Sequence, residues 1–142
     1  MRCFHFLLAL VLLLPAGVSQ AAPQLRVLAA RVAEAPPVVG MHAGYFKIDN
    51  GTVAPVTLTR VSSPDFARVE LHRSIIEDGV ARMVASGPVT VAAHSSMTFK
   101  PGGYHLMLFT AVRTLHAGDS VTLRFHFAHG TSVEVQADIV RM

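Results

Sequence analysis

The chain has 142 residues, 51% of them hydrophobic, a single cysteine and a formal net charge of +3. Its basic residues are scattered, with no cationic stripe interleaved with aromatics, which removes support for nucleic-acid binding. The length suits one domain around one hydrophobic core. The only cysteine, Cys3, lies so early that neither a disulfide nor a thiolate metal site is expected in the mature protein.

The opening segment, "MRCFHFLLALVLLLPAGVSQAAP", places Arg2 before an uncharged apolar run from Phe6 to Leu14, followed by Pro15 and small residues. That is the layout of a cleaved secretory signal peptide, expected over residues 1–22. The run is short for a transmembrane helix, so no stable membrane insertion is expected. Cys3 precedes the apolar run, a position that argues against a lipid-modified cleavage-site cysteine. Residues 23–142 are expected to form a single exported domain.

Strand-like runs then recur between turn signals. In chain order they are "LRVLAARV", "AGYFKID", "PVTLTRVSS", "FARVELH", "GVARMVAS", "VTVAA", "SMTFK", "YHLMLFT", "DSVTLRFHFA" and "TSVEVQADIV". Alternation is clearest in "SVTLRFHF", where Val121, Leu123, Phe125 and Phe127 share one face and Thr122, Arg124 and His126 the other. The one local helix candidate, "RSIIEDG", is too short to carry weight. Many short strands at this spacing predict an all-β sandwich with Greek-key connections.

Without the leader's His5 and Met1 the chain keeps seven histidines and five methionines, against no tryptophan. Thioether sulfur is soft and prefers Cu(I), whereas imidazole accepts copper and zinc alike. In "PGGYHLML", alternation places His105 and Met107 on one strand face, about 6.6 Å apart along the chain. A lone His-x-Met is more often a core methionine beside a satisfied histidine. In "VELH", however, His72 alternates with Leu71 and should face away from the core at a strand end, and Met83 follows in "ARMVAS".

The set reads His72, ten residues, Met83, twenty-one residues, His105, one residue, Met107. This resembles the H-x10-M-x21-H-x-M signature of the periplasmic copper chaperones called PCu(A)C proteins, and four residues at fixed spacing are specific where His-x-Met alone is not. "AGYFKIDNG" and "HAGDSVTLRF" extend the resemblance over most of the mature chain. It implies a cupredoxin-like β-sandwich and a Cu(I) site at His72, Met83, His105 and Met107. It further implies periplasmic delivery of copper towards the CuA centre of cytochrome c oxidase, with subunit II or a Sco-type thiol protein as recipient.

Many members of that family carry a His- and Met-rich C-terminal tail. This sequence stops at Arg141-Met142, so a second copper or Cu(II) site that depends on such a tail is not expected. Met97 is expected to be packing rather than a spare thioether, Met41-His42 an ordinary loop, His126 and His129 a solvated pair, and Glu70 a rim charge. A blue-copper electron carrier is excluded by the missing thiolate. No catalytic triad, phosphate loop or paired-acid motif points to an enzyme. The competing expectation is an exported immunoglobulin-like adhesion or assembly module without metal.

Protons compete for imidazole but not for thioether, so copper affinity is expected to fall as the pH drops into the imidazole range.

Overall fold

The computed structural model describes residues 24–36 and 38–142; the expected signal peptide, residues 1–22, lies outside them. Ten strands follow one another: β1 (Leu25–Ala33), β2 (Met41–Asn50), β3 (Val56–Ser62), β4 (Phe66–Glu77), β5 (Val80–Ala85), β6 (Val89–Val91), β7 (Ser95–Phe99), β8 (Tyr104–Ala111), β9 (Ser120–Phe127) and β10 (Ser132–Val140). A 3-10 turn, Ala128–Gly130, joins β9 to β10. Among the described residues no helix is long and apolar enough to cross a membrane.

The strands hydrogen-bond in the order β5-β4-β8-β2-β1-β10-β9-β3-β6, with β7 continuing beside β2. The two halves of this ribbon, meeting at β1, pack face to face. Phe46 on β2 stacks on Phe99 of β7 at 4.1 Å between ring centroids and meets Phe125 of β9, from the other layer, at 4.7 Å. Aromatic contacts at these separations join the two layers through the middle of the core.

β1 makes the turn from one layer to the other. It pairs antiparallel with β2 from Leu25 to Val32, its last residues also pair parallel with β10, and the register with β2 shifts between Leu28 and Arg31. Ala29, at φ 51°, occupies the shift. A bulge inserts one residue and resets the two-residue alternation, so Val27 and Val32 both point into the core although five positions apart.

The alternation expected in β9 is present: Val121, Leu123, Phe125 and Phe127 are buried, and Arg124 is exposed. "RSIIEDG" is strand and turn rather than helix. β4 runs on to Glu77, which pairs with Val80 across the two-residue turn Asp78-Gly79. Both turn residues have positive φ, the hairpin conformation that Asp-Gly favours. His72 therefore lies within β4, five residues before its end, and not at a strand end as expected; the Ile75-Ile76 pair and the Asp-Gly turn prolong the strand.

Asn50 ends β2 fully buried. Its amide nitrogen donates to the carbonyls of Ala54, Val91 and Ala92, and its oxygen accepts from the Thr52 backbone N–H and hydroxyl. One side chain thus fastens the β2–β3 loop to the end of β6. Removing a partner so that buried groups stay unsatisfied costs more than the bond itself contributes. Asn50→Ala is expected to lower stability by about 2–4 kcal/mol, read as an earlier midpoint in urea unfolding; an unchanged midpoint would contradict this role.

Candidate metal centre

The outer face of β5-β4-β8-β2 carries the site. Register pairs His72 with His105 and Glu70 with Met107 across β4 and β8, Ser74 with Met83 across β4 and β5, and Ala43 with Met107 across β2 and β8. Directly paired residues share a sheet face. Leu71, Leu106 and Leu108 point the other way into the core, as alternation in "YHLML" requires. Close approach of β2 to β8 is possible because Gly44 sits opposite Leu106, where an added Cβ would lie 3.1 Å from the Leu106 Cβ.

All four signature residues therefore come to one face, with graded exposure. His105 is 3% exposed, Met107 7% and Met83 63%; the His72 side chain is 15% exposed. The His72 and His105 ring centroids are 6.1 Å apart. Two imidazoles bound to one ion through bonds near 2.0–2.1 Å place their centroids about 5–6.5 Å apart, depending on the angle. The observed spacing falls within that range.

Hydrogen bonding fixes which nitrogen of each ring is free. His105 Nδ1 lies 2.9 Å from the Gly103 carbonyl, which only accepts, so Nδ1 carries the proton. His72 Nε2 lies 2.9 Å from Glu70 Oε2, so in this ring Nε2 donates. The remaining nitrogens, His105 Nε2 and His72 Nδ1, are buried and have no hydrogen-bond partner among the described residues. Buried polar atoms are normally satisfied, so two orphans on facing rings require a reason. Unprotonated, unpartnered imidazole nitrogens are the kind of atom that can ligate a metal ion.

Glu70 is more than a rim charge. Its carboxylate bridges Arg68, at 3.0 Å, and His72. The hydrogen bond from His72, then the positive charge of Arg68, holds its carboxyl below the usual range. Arg68 is steadied in turn over the Phe109 ring, 4.2 Å from its centroid.

Next to the imidazoles opens a cleft of about 250 Å³, lined by Met41, Ala43, Tyr45, Met83, His105 and Met107 among others. His72 flanks this cleft without lining it, its Nδ1 covered. Pro101 and Gly102, from the turn before β8, close one side. Among the described residues no group of three His, Cys, Asp or Glu side chains converges, so the hard-ligand cluster of a zinc or calcium site is not found there.

The remaining candidates separate cleanly. Met41-His42 is not a loop but the start of β2, with Gly40 at φ 62° ending the turn before it. Met41 faces the cleft. His42 faces inward, its Nδ1 3.0 Å from the Ala33 carbonyl and its ring edge-on to Phe66. Met97 pairs with Ile48 and packs on the core, away from the site. His126 is bonded through Nε2 to the Ser62 hydroxyl, and burial followed by the charges of Arg60 and Arg124 lowers its pKa. His129 lies in the 3-10 turn.

Comparison with known proteins agrees with this architecture. The copper-bound PCuAC domain from PmoF2 superposes with a TM-score of 0.70 at 18% identity, covering 87% of this chain and 97% of that domain. The solution structure of CuI-DR1885 from Deinococcus radiodurans gives 0.67 at 25% identity, covering 89% and 83%. The fold is that of a PCuAC domain. Residues 25–139 match the family model described as "Putative lipoprotein LpqE-like", and the chain belongs to this LpqE-like family.

Two curated relatives are similar in sequence. Protein RP573 of Rickettsia prowazekii is 30% identical over 102 residues, 71% of this chain and 56% of the relative. The Leifsonia xyli lipoprotein Lxx21020 is 24% identical over 101 residues, 70% of this chain and 61% of the relative. The chain thus spans somewhat over half the length of these relatives.

The two rings should be opposite neutral tautomers. Long-range nitrogen-15 NMR at a pH above the imidazole range is expected to show His72 protonated at Nε2 and His105 at Nδ1. Glu70→Ala should abolish the preference at His72 while leaving His105 unchanged. The same tautomer on both rings would contradict the assignment.

Proposed function

We propose that this chain is an exported Cu(I) carrier, a binding protein rather than a catalyst, in which His72, Met83, His105 and Met107 hold the ion. The observation that carries the proposal is the pair of orphaned imidazole nitrogens, His72 Nδ1 and His105 Nε2, on directly paired residues whose ring centroids lie 6.1 Å apart, with Met107 on the same sheet face. The copper named in two neighbours of the same fold supports it. The donor set is the second support, since thioethers select Cu(I) among the biological metals.

The chemistry follows from the ligands. Two neutral imidazoles and two neutral thioethers leave the ion its single positive charge. A filled d shell imposes little geometric demand, so an incoming donor can add before another departs. Met83, on the edge strand β5 and largely exposed, is the ligand that an acceptor reaches first. His105 and Met107 form the buried floor that retains the ion until exchange is complete. Thioethers also keep their ligand character under mildly oxidising conditions in which exposed thiols pair as disulfides.

Export rests on the leader sequence and on the lipoprotein description of the family. Periplasmic location after cleavage within residues 1–22, and delivery towards the CuA centre through subunit II or a Sco-type protein, rest on resemblance to the PCu(A)C chaperones.

Titrating the apo-protein with Cu(I) against a chromophoric chelator is expected to give about one equivalent bound, with affinity weakened at least about tenfold in Met83→Leu and in Met107→Leu. Failure to compete with the chelator, or unchanged affinity in both variants, would sink the proposal. Bound Cu(I) should also raise the melting temperature, because a ligand of the native state stabilises it. His72→Ala should lose most of that rise. A metal-free adhesion module would show none in either protein.

A further inference from the structure

The cleft holds a third methionine that the signature does not contain. Met41, Met83 and Met107 all line it. Met41 opens β2, where Met41, Ala43 and Tyr45 turn outward while His42, Gly44 and Phe46 are buried. It pairs with Phe109 on β8, one step along from the Ala43–Met107 pair, and is thus the diagonal neighbour of Met107. Diagonal neighbours on a sheet face lie about 7–8 Å apart at the backbone, within reach of long side chains. The small side chain of Ala43, directly opposite Met107, leaves the space between the two thioethers open.

Packing gives Met41 little to do. It belongs neither to the buried core cluster nor to the hydrophobic residues packed against it, where Met97 is found. Its unbranched side chain can swing through the cleft without disturbing the layers beneath.

Resting on the copper reading above, we propose that Met41 is a third thioether donor to the same Cu(I) ion, taking the place of Met83 during exchange. The step is a ligand substitution. A copper–sulfur bond to Met41 forms as the bond to Met83 breaks, the ion stays Cu(I), and no proton or electron moves. Met83 is then free to leave with the acceptor's approach while His72, His105, Met107 and Met41 keep the ion coordinated. The site would accordingly tolerate loss of its exposed ligand better than loss of Met107.

The test uses the full chain labelled with carbon-13 at the methionine methyl groups and titrated with Cu(I) without oxygen. The Met41 resonance is expected to shift together with those of Met83 and Met107, while Met97, on the inner face, stays in place. X-ray absorption on copper-loaded Met83→Leu should still show two sulfur neighbours, falling to one in the Met41→Leu/Met83→Leu double variant. A Met41 signal that stays still while Met83 and Met107 move, or a single sulfur already in Met83→Leu, overturns the role of Met41 and leaves the four-ligand carrier standing. A titration in which no methionine moves overturns the carrier itself, and the role of Met41 with it.

Discussion

The register in which β4 pairs with β8 is the constraint on which the site depends. His72 stands opposite His105 and Glu70 opposite Met107. Slipping β4 by one residue against β8 would turn Leu71 outward and His72 inward while His105 stayed in place, because the side-chain period of a strand is two. The buried leucines therefore act as the lock on the proposed metal ligands: hydrophobic burial on one face decides which residues meet on the other. Gly44 belongs to the same lock, since only a residue without a Cβ lets β2 close on Leu106 without displacing it.

The rigid part of the site and its exchangeable part lie on different strands. β8 is flanked on both edges, by β4 and by β2, and its two proposed ligands, His105 and Met107, are almost fully buried. β5 is an edge strand at the end of the ribbon, joined to β4 by a tight two-residue turn, and its Met83 is exposed. Edge strands have fewer contacts and open locally at lower cost than central ones. A carrier needs both properties, retention from the centre of the sheet and release at its margin.

Glu70 shows how the outer face organises itself without burial. Arg68 rests on Phe109, pairs with Glu70, and Glu70 accepts from His72. Each member is partly exposed, so no single link is strong. Their shared effect is orientation: the proton is held on His72 Nε2, which leaves the lone pair on Nδ1. His105 reaches the same end by another route, a bond to the Gly103 carbonyl in the turn before its own strand.

Much of this was legible in the sequence. Alternation in "SVTLRFHF" and "YHLML" identified the strands and their buried faces, and the Asp-Gly turn is a local signal whose neighbour "SII" was the only ambiguous stretch. Resemblance of the four-residue spacing to the PCu(A)C signature singled out His72, Met83, His105 and Met107 as a set. Other features exist only across strands that are distant in the chain. Met41 and Met97 look alike in sequence, two methionines near strands; the pairing of β2 with β8 puts one in the cleft, and its pairing with β7 puts the other against the core. The tautomers of His72 and His105 rest on bonds to Glu70 and Gly103, only two residues away in the chain, whereas the exposure of Met83 and the fold-over at the β1 bulge were decided by tertiary structure. Both of the latter depend on which edge of which strand is left unpaired or covered, a non-local outcome that local alternation does not encode.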